Sequence, residues 1–397
     1  MSILSYFPQG GSGGDVLCFK SVIVNPSDWD DSVYDANYPY EAVLTLNGVT
    51  ADHFPIVAFE DDDDANYVFL NIAQTGTDSI TIYAKKAPTS LIIIPSITCY
   101  ESTVSSGIGT LEETSWDIIS TFSQMGNAGD FWSVGDTKSV TLNGAVGTLN
   151  INITLDVFII GINHEGKNGI TFQGFKDSSN KNVALVDSDY GNVSSDGSLL
   201  FNINHWGDSS SPYNAASGGW KGCDLRYDIL GSTDIQPTGY GAVVVSGSRI
   251  GYDATLTTAT NPVSNTLMSC LPSDLRTVMK PMTVYTENSS TSSHNTQSNV
   301  TTSVDYLPLL AEKEICGDLT QPNANIYEKN YQTQYMYYIN GGTKLKYKYS
   351  NNTSVTSYWL RSPYNVGNTS FCEIYTSGNS LGESTRSSRG ISPIFLV

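Results

Sequence analysis

The sequence predicts an all-β N-terminal domain followed by a larger α+β domain. Three observations carry that prediction. Short runs of alternating apolar and polar residues recur early in the chain, separated by turn residues. Beyond about residue 100, helical spacings appear among further strand-like runs. The length, 397 residues, exceeds a single domain of ordinary size.

The early runs are 21–24, 42–49, 54–59, 67–73, 79–84 and 91–98. In the fifth, Ile80, Ile82 and Ala84 fall on one side and Thr81 and Tyr83 on the other. The run Leu91 to Ile94 is continuously apolar and predicts burial on both faces. Asn47-Gly48, 61–66 and 74–78 supply turns. Six such strands predict a small β-sandwich over residues 15–100. Residues 1–14, ending in Gln-Gly-Gly-Ser-Gly-Gly, read as a flexible leader.

Residues 101–397 form the predicted α+β domain. Its boundary is rich in Ser, Gly and Thr. Helices are expected at 116–122, at 224–230 and across 264–279, where Leu267, Leu271, Leu275 and Val278 share a face. Pro272 lies inside the last window and predicts a restart there. Strands are expected at 139–142 and 151–160, and a polar surface loop at 286–303.

Composition narrows the function. Apolar residues make up 39% and charged residues 15%, so uncharged polar residues are abundant. Tyr outnumbers Phe, 24 to 13. That balance suits a recognition surface, and equally a Tyr- and Thr-rich β protein. The formal charge is −19, and residues 1–100 hold 13 acids against 3 lysines. Such a surface repels phosphate backbones and argues against nucleic-acid binding. No apolar run reaches the roughly 18 residues of a membrane span, and the N-terminus lacks the pattern of a secretory signal. The six cysteines are dispersed, with no Cys-x-x-Cys pair, and predict free thiols.

Motifs for chemistry are weak. Gly10-Gly-Ser-Gly-Gly14 matches a hydrolase elbow in letters only, because no strand and helix flank it. His164-Glu165 lacks the second histidine of a helical zinc motif. His164 and His205 could meet as ligands or acid–base groups, but each flanks an apolar or aromatic neighbour, which suits packed imidazoles. Glu60 to Asp64 and Asp187 to Gly191 offer oxygen ligands for Ca²⁺, yet read better as a hairpin tip and a turn. No metal, cofactor or catalytic residue is assigned. The expectation is binding rather than catalysis.

Landmarks in order carry a resemblance. They are Phe131-Trp-Ser-Val-Gly-Asp136, Phe158-Ile-Ile-Gly-Ile-Asn-His164, Gly218 to Arg226, Leu271-Pro-Ser-Asp-Leu-Arg276 and Leu307 to Gly317. The set closes with Trp359-Leu-Arg-Ser-Pro363 and Gly390-Ile-Ser-Pro-Ile-Phe395. Together they resemble a family of domains in phage tail proteins, prophages and bacterial surface proteins, itself similar to C-type-lectin-like folds. Residues 15–100 separately resemble an N-terminal module of gut-phage tail proteins.

The resemblance implies a virion protein of the tail tip or fibre, made in the host cytoplasm and exposed on the particle. Its N-terminal domain would attach to other virion proteins, and its C-terminal domain would bind a host-surface receptor, protein or glycan. A homotrimer is expected, because weak repeated sites gain avidity. The alternatives are a structural decoration or tail-assembly subunit, and a polysaccharide depolymerase.

Physically, Trp359 and Leu360 should pack in the core, and Arg361 should pair with a buried acid or carbonyls. Trp220 and Arg226 should do the same. Between the anchors, Phe371 to Tyr375 reads as a strand with alternate side chains facing out. The expected contact face is Tyr364, Asn365, Asn368, Glu373, Tyr375, Asn379 and Glu383.

Overall fold

A computed structural model describes residues 16–35, 38–50, 53–59, 67–70, 73–101, 109–187, 201–203, 219–233, 259–288, 296–366, 369–385 and 387–397. The expected leader, the acidic run 60–64, His205 and Asn368 lie outside these residues. The chain divides into two compact units, Met1–Gly109 and Thr110–Val397. It is β-rich throughout, with short helices in the second unit.

In the first unit, β1 (Val16–Val24), β4 (His53–Ala58) and β7 (Ile92–Glu101) form one antiparallel sheet in the order β1-β7-β4. β2 (Trp29–Asp35), β3 (Tyr38–Thr45), β5 (Gln74–Gly76) and β6 (Ser79–Ala84) form a second, in the order β2-β3-β6-β5. Residues of both sheets share one apolar core, including Phe19, Trp29, Leu44, Ile80, Ile82, Ile94 and Ile97. Ile80, Ile82 and Ala84 face it together, as their period-two spacing predicts.

Three expectations for this unit need correction, and the first is the turn at 74–78, whose residues Gln74–Gly76 pair with β6 as strand β5. Leu91 to Ile94 is not buried on both faces: Ile92 and Ile94 are inside, while Ile93 is 48% exposed. β7 is the central strand of a sheet with one face on the core, so alternation governs it despite the continuous apolar run. Among the described residues of the strand expected at 67–73, which are 67–70 and 73, strand pairing is a single bridge, Phe69 to Ala84. Val68 has φ +53, which breaks extended geometry beside that bridge.

The second unit is organised around β10 (Ile170–Lys176), whose seven residues are all buried. β10 lies between β9 (Leu149–Ile162) and the C-terminal β19 (Ile394–Leu396), and β9 pairs on its other edge with β8 (Thr137–Val146). β9 shows how register decides burial. Its first half alternates, and its residues 157–161 are all buried once β10 covers them. Helix α1 (Trp116–Met125) places Trp116 edge-on to Phe172 at 5.4 Å and to Phe395 at 6.3 Å. Ile170 and Val397 exchange backbone hydrogen bonds of 3.0 and 3.2 Å, so the last residue is fastened to the central strand.

The remaining strands form three small groups. They are β11 (Val183–Ala184) with β14 (Lys346–Lys348) and β15 (Asn351–Thr356); β12 (Met282–Glu287) with β13 (Val300–Asp305); and β16 (Tyr358–Pro363) with β17 (Ser370–Ile374) and β18 (Ser380–Ser384). The β12–β13 hairpin replaces part of the loop expected at 286–303, since Thr301 pairs with Thr286 and Ser303 with Val284. Short helices are α2 (Gly219–Gly222), α3 (Leu267–Cys270), α4 (Ser273–Val278), α5 (Glu312–Cys316) and α6 (Met336–Ile339). Pro272 does separate α3 from α4. The helix expected at 224–230 is a single π-helical turn, Leu225–Ile229.

Buried polar groups knit these pieces together. Arg226 donates from Nε to Asp305 Oδ1 at 2.5 Å and from Nη2 to the Val304 carbonyl at 3.1 Å. Asp305 also accepts from Trp220 Nε1 at 3.3 Å, Ser232 Oγ at 2.8 Å and Ser303 Oγ at 2.6 Å. Gly219, at φ +53, lets α2 approach β12 closely, where any Cβ would collide with the Glu287 carbonyl. All six cysteines are free thiols, as expected.

Lys346 is fully buried, with its ammonium over the Phe158 ring at 5.4 Å and the Tyr358 ring at 5.5 Å. Its Nζ has no hydrogen-bond partner among the described residues. Burial, helped by nearby Lys176, pushes its pKa down to about 7. Between pH 7 and the ordinary lysine value, the unfolded chain holds a proton that the folded chain releases. Stability therefore rises with pH across that window. Lys346→Met should raise stability by about 1–4 kcal/mol at pH 7. The gain should vanish above about pH 10.5, as urea titrations at several pH values would measure.

Candidate functional site

β16 is the frame. All six of its residues are buried, and Tyr358, Trp359, Leu360 and Arg361 are at most 1% exposed. Trp359 donates from Nε1 to the Phe201 carbonyl at 2.8 Å. Arg361 grips both carboxylate oxygens of Glu314 on α5, with Nη1 to Oε2 at 2.6 Å, and reaches the Leu309 carbonyl at 2.7 Å. Glu314 Oε2 also accepts the Ala311 N–H at 2.9 Å. Both expectations for the anchor, core packing by Trp359 and Leu360 and a buried acid for Arg361, hold.

Further carboxylates fasten the neighbouring backbone. Glu312 accepts from the N–H groups of Asn323 at 3.1 Å and Ala324 at 2.8 Å. Glu328 accepts from the Glu287 N–H and from Ser362 Oγ, both at 2.7 Å. Burial raises the Glu328 carboxyl to about 7, and those hydrogen bonds and Arg361 counter it only in part.

The seven expected contact residues divide on this frame. Glu373 is a correction: it is 1% exposed and receives Arg389 Nε at 2.6 Å. Phe371, Cys372 and Ile374 are buried too, so β17 does not alternate as expected. It is the middle strand of its sheet, covered on both faces. Glu383 takes Arg389 Nη2 at 2.8 Å and Ser387 Oγ at 2.8 Å, which commits it to the fold. Asn365 donates to the Pro322 carbonyl at 2.8 Å and the Ala324 carbonyl at 3.1 Å, clamping the 322–324 segment. Tyr364 is half-buried, with its ring over Gly382, where a Cβ would meet the ring at 2.6 Å.

What remains outside is the β17–β18 turn. Tyr375 is 44% exposed and Asn379 is exposed, with Leu381 beside them. The turn is closed by two backbone hydrogen bonds, Tyr375 N–H to the Asn379 carbonyl and Gly378 N–H to the Tyr375 carbonyl, both 2.8 Å. It is a rigid, uncharged tip on a locked sheet.

A second feature escaped the sequence reading. A cavity of about 310 Å³ opens between the 164–169 loop, the start of β12 and the 331–335 segment, with Arg361 and Glu314 in its wall. His164 stacks on Tyr335 at 3.9 Å, with 18° between the rings. Burial holds the His164 pKa below its ordinary value, so the imidazole is neutral at pH 7. Tyr285 stacks on Tyr331 at 4.7 Å and 11°. Its aromatic lining, Tyr285, Tyr331 and Tyr335, comes from segments that no motif in the sequence singled out. His164 thus behaves as a packed ring, as its neighbours suggested. Among the described residues no group of three His, Cys, Asp or Glu could hold a metal ion, and no helix is long and apolar enough to cross a membrane.

Comparison with known proteins gives one match. The family described as a domain of unknown function, DUF6273, matches residues 182–397. No curated protein and no solved structure matches the chain.

Arg361→Met should lower stability by about 3–5 kcal/mol in urea unfolding, because it strands Glu314 as a buried unpaired charge. Glu328→Gln tests the raised carboxyl. A group whose folded pKa lies above its unfolded value stabilises most below the unfolded value, and that contribution is lost as pH rises through about 7. The variant should therefore match the parent below pH 4.5 and exceed it above pH 7, by on the order of 1–3 kcal/mol. Melting curves across that range would measure the crossover.

Proposed function

The chain belongs to the DUF6273 family, whose matched domain covers more than half of it, and from its own geometry we propose a receptor-binding protein of a phage tail tip or fibre. The observation that carries this reading is the turn between β17 and β18. It presents Tyr375, Asn379 and Leu381 to solvent, while the two carboxylates of its sheet, Glu373 and Glu383, both pair with Arg389. Aromatic and amide side chains on a pre-ordered support bind with little loss of conformational entropy.

In this proposal the C-terminal unit is a C-type-lectin-like receptor-binding domain. The N-terminal unit is a β-sandwich that attaches to other virion proteins, and three copies act together for avidity. The same geometry favours binding over depolymerisation. Of the two carboxylates that line the cavity, Glu314 has both oxygens bound by Arg361 and is not placed to exchange a proton, and Glu165 lies at the rim, 3.6 Å from Lys167.

The contact face is smaller than the sequence suggests. Tyr375 and Asn379 carry it, whereas Tyr364 supports the fold. The double variant Tyr375→Ala with Asn379→Ala should keep its stability within about 0.5 kcal/mol. It should also lose the ability to block attachment of the parent particle to host cells, which the purified unmodified chain should have. Undiminished blocking by the variant would sink the assignment. Tyr364→Ala, by contrast, should lower the melting temperature measurably.

A further inference from the structure

The cavity beside Arg361 has a makeup that selects a ligand class. Its volume, about 310 Å³, lies at the small end of the range for ligand sites, about 300–1,000 Å³. That end suits a ligand of one or two rings. Its wall includes the stacked pair Tyr285 and Tyr331, and Tyr331 is 37% exposed. Flat rings with an open face take apolar C–H surfaces, and their hydroxyls can still hydrogen-bond.

Charge at the site is balanced. Glu314 is matched by Arg361, and at the rim Glu165 lies 3.6 Å from Lys167. Neither an anion nor a cation finds an unmatched partner among these four groups, and displacing either pair would leave a charge stranded. Neutral groups lie between them: the exposed Thr283 and Asn168 line the opening. Arg361 meets the cavity as a group already bound to Glu314 and the Leu309 carbonyl.

The wall is also preformed. Asn163, at φ +49, donates from its side chain to the Gly126 carbonyl at 2.6 Å and accepts the Gly169 N–H at 3.2 Å. Asn168 donates to the Gln124 carbonyl at 2.9 Å. These bonds tie the 163–169 loop to the end of α1, and little reorganisation is needed on binding.

An uncharged ligand with an apolar face, a hydroxyl rim and the size of one or two rings satisfies all of these features. We propose that the cavity binds a neutral saccharide of one or two units, with Tyr331 and Tyr285 contributing ring surface and Thr283 and Asn168 meeting hydroxyls. This site is separate from the β17–β18 turn, so it stands or falls independently of the receptor-contact face.

The test uses the full chain. Saturation-transfer NMR and calorimetry would be run with glucose, galactose, mannose, N-acetylglucosamine, N-acetylgalactosamine, rhamnose, lactose, maltose and cellobiose, and with glucuronate and glucosamine as charged counterparts. At least one neutral sugar should bind saturably. Tyr331→Ala should weaken it by about tenfold or more, equivalent to about 1.4 kcal/mol, with an unchanged melting curve. Thr283→Trp, which fills the opening from an exposed position, should block binding without touching the core. The Tyr375→Ala and Asn379→Ala pair should bind the sugar as the parent does. Absence of binding by every neutral sugar overturns the proposal. So does binding that survives both Tyr331→Ala and Thr283→Trp, or a preference for the charged counterparts.

Discussion

The buried ion pair of Arg361 with Glu314 is the contact on which the second unit depends. It joins β16 to α5 across 47 positions of sequence, inside an apolar cluster that includes Leu310, Ile315, Tyr335, Tyr358 and Leu360. A planar guanidinium holds two carboxylate oxygens through parallel N–H groups and a carbonyl besides, a fixed fork that the single ammonium of a lysine does not present. Its hydrogen bonds therefore set the position of the strand that leads out to Tyr364 and Asn365, and they form part of the cavity wall. Arg226 with Asp305, and Arg389 with Glu373 and Glu383, repeat the device at two other junctions. Arg361 with Glu314 and Arg226 with Asp305 are buried with most of their hydrogen-bonding capacity met, the condition under which a buried charge is tolerated, while Arg389 and Glu383 are partly exposed.

The interior is consequently more polar than that of a simple β protein. Glu312 and Glu328 hold backbone N–H groups in the irregular segment around residues 323–324 and at the end of β12, at Glu287. Donors that no ladder satisfies take side-chain acceptors instead. Lys346 is the counter-example, a buried amine set against aromatic rings with no hydrogen-bond partner among the described residues. Loss of any one member leaves its neighbours unsatisfied, which gives these junctions a single arrangement.

The tyrosines show how one composition serves two ends. Tyr83, Tyr227, Tyr335, Tyr338 and Tyr358 are buried and pack the cores. Tyr331 and Tyr375 are exposed, one at the cavity and one at the β17–β18 turn. The packing reading of a Tyr-rich chain holds for the first set, and the recognition reading is proposed for the second. What distinguishes the two sets is burial, which follows from contacts that no count of tyrosines contains.

Local pattern determined a good deal. The strands β1, β3, β4, β6 and β7 of the first unit, α1, the break at Pro272, the core placement of Trp359 and Leu360 and the acid partner of Arg361 follow from side-chain period, proline geometry and the cost of an unpaired charge. These are short-range properties, and neighbouring residues settle them. Tertiary structure alone decided the rest. Glu373 turned inward because Arg389, sixteen positions away, meets it there, and Ile93 turned outward because one face of its sheet lies open. The cavity draws its walls from β12, the 164–169 loop, the 331–335 segment and β16, segments up to about two hundred positions apart. Which distant segments meet is a property of the packed whole, and a linear pattern carries no record of it.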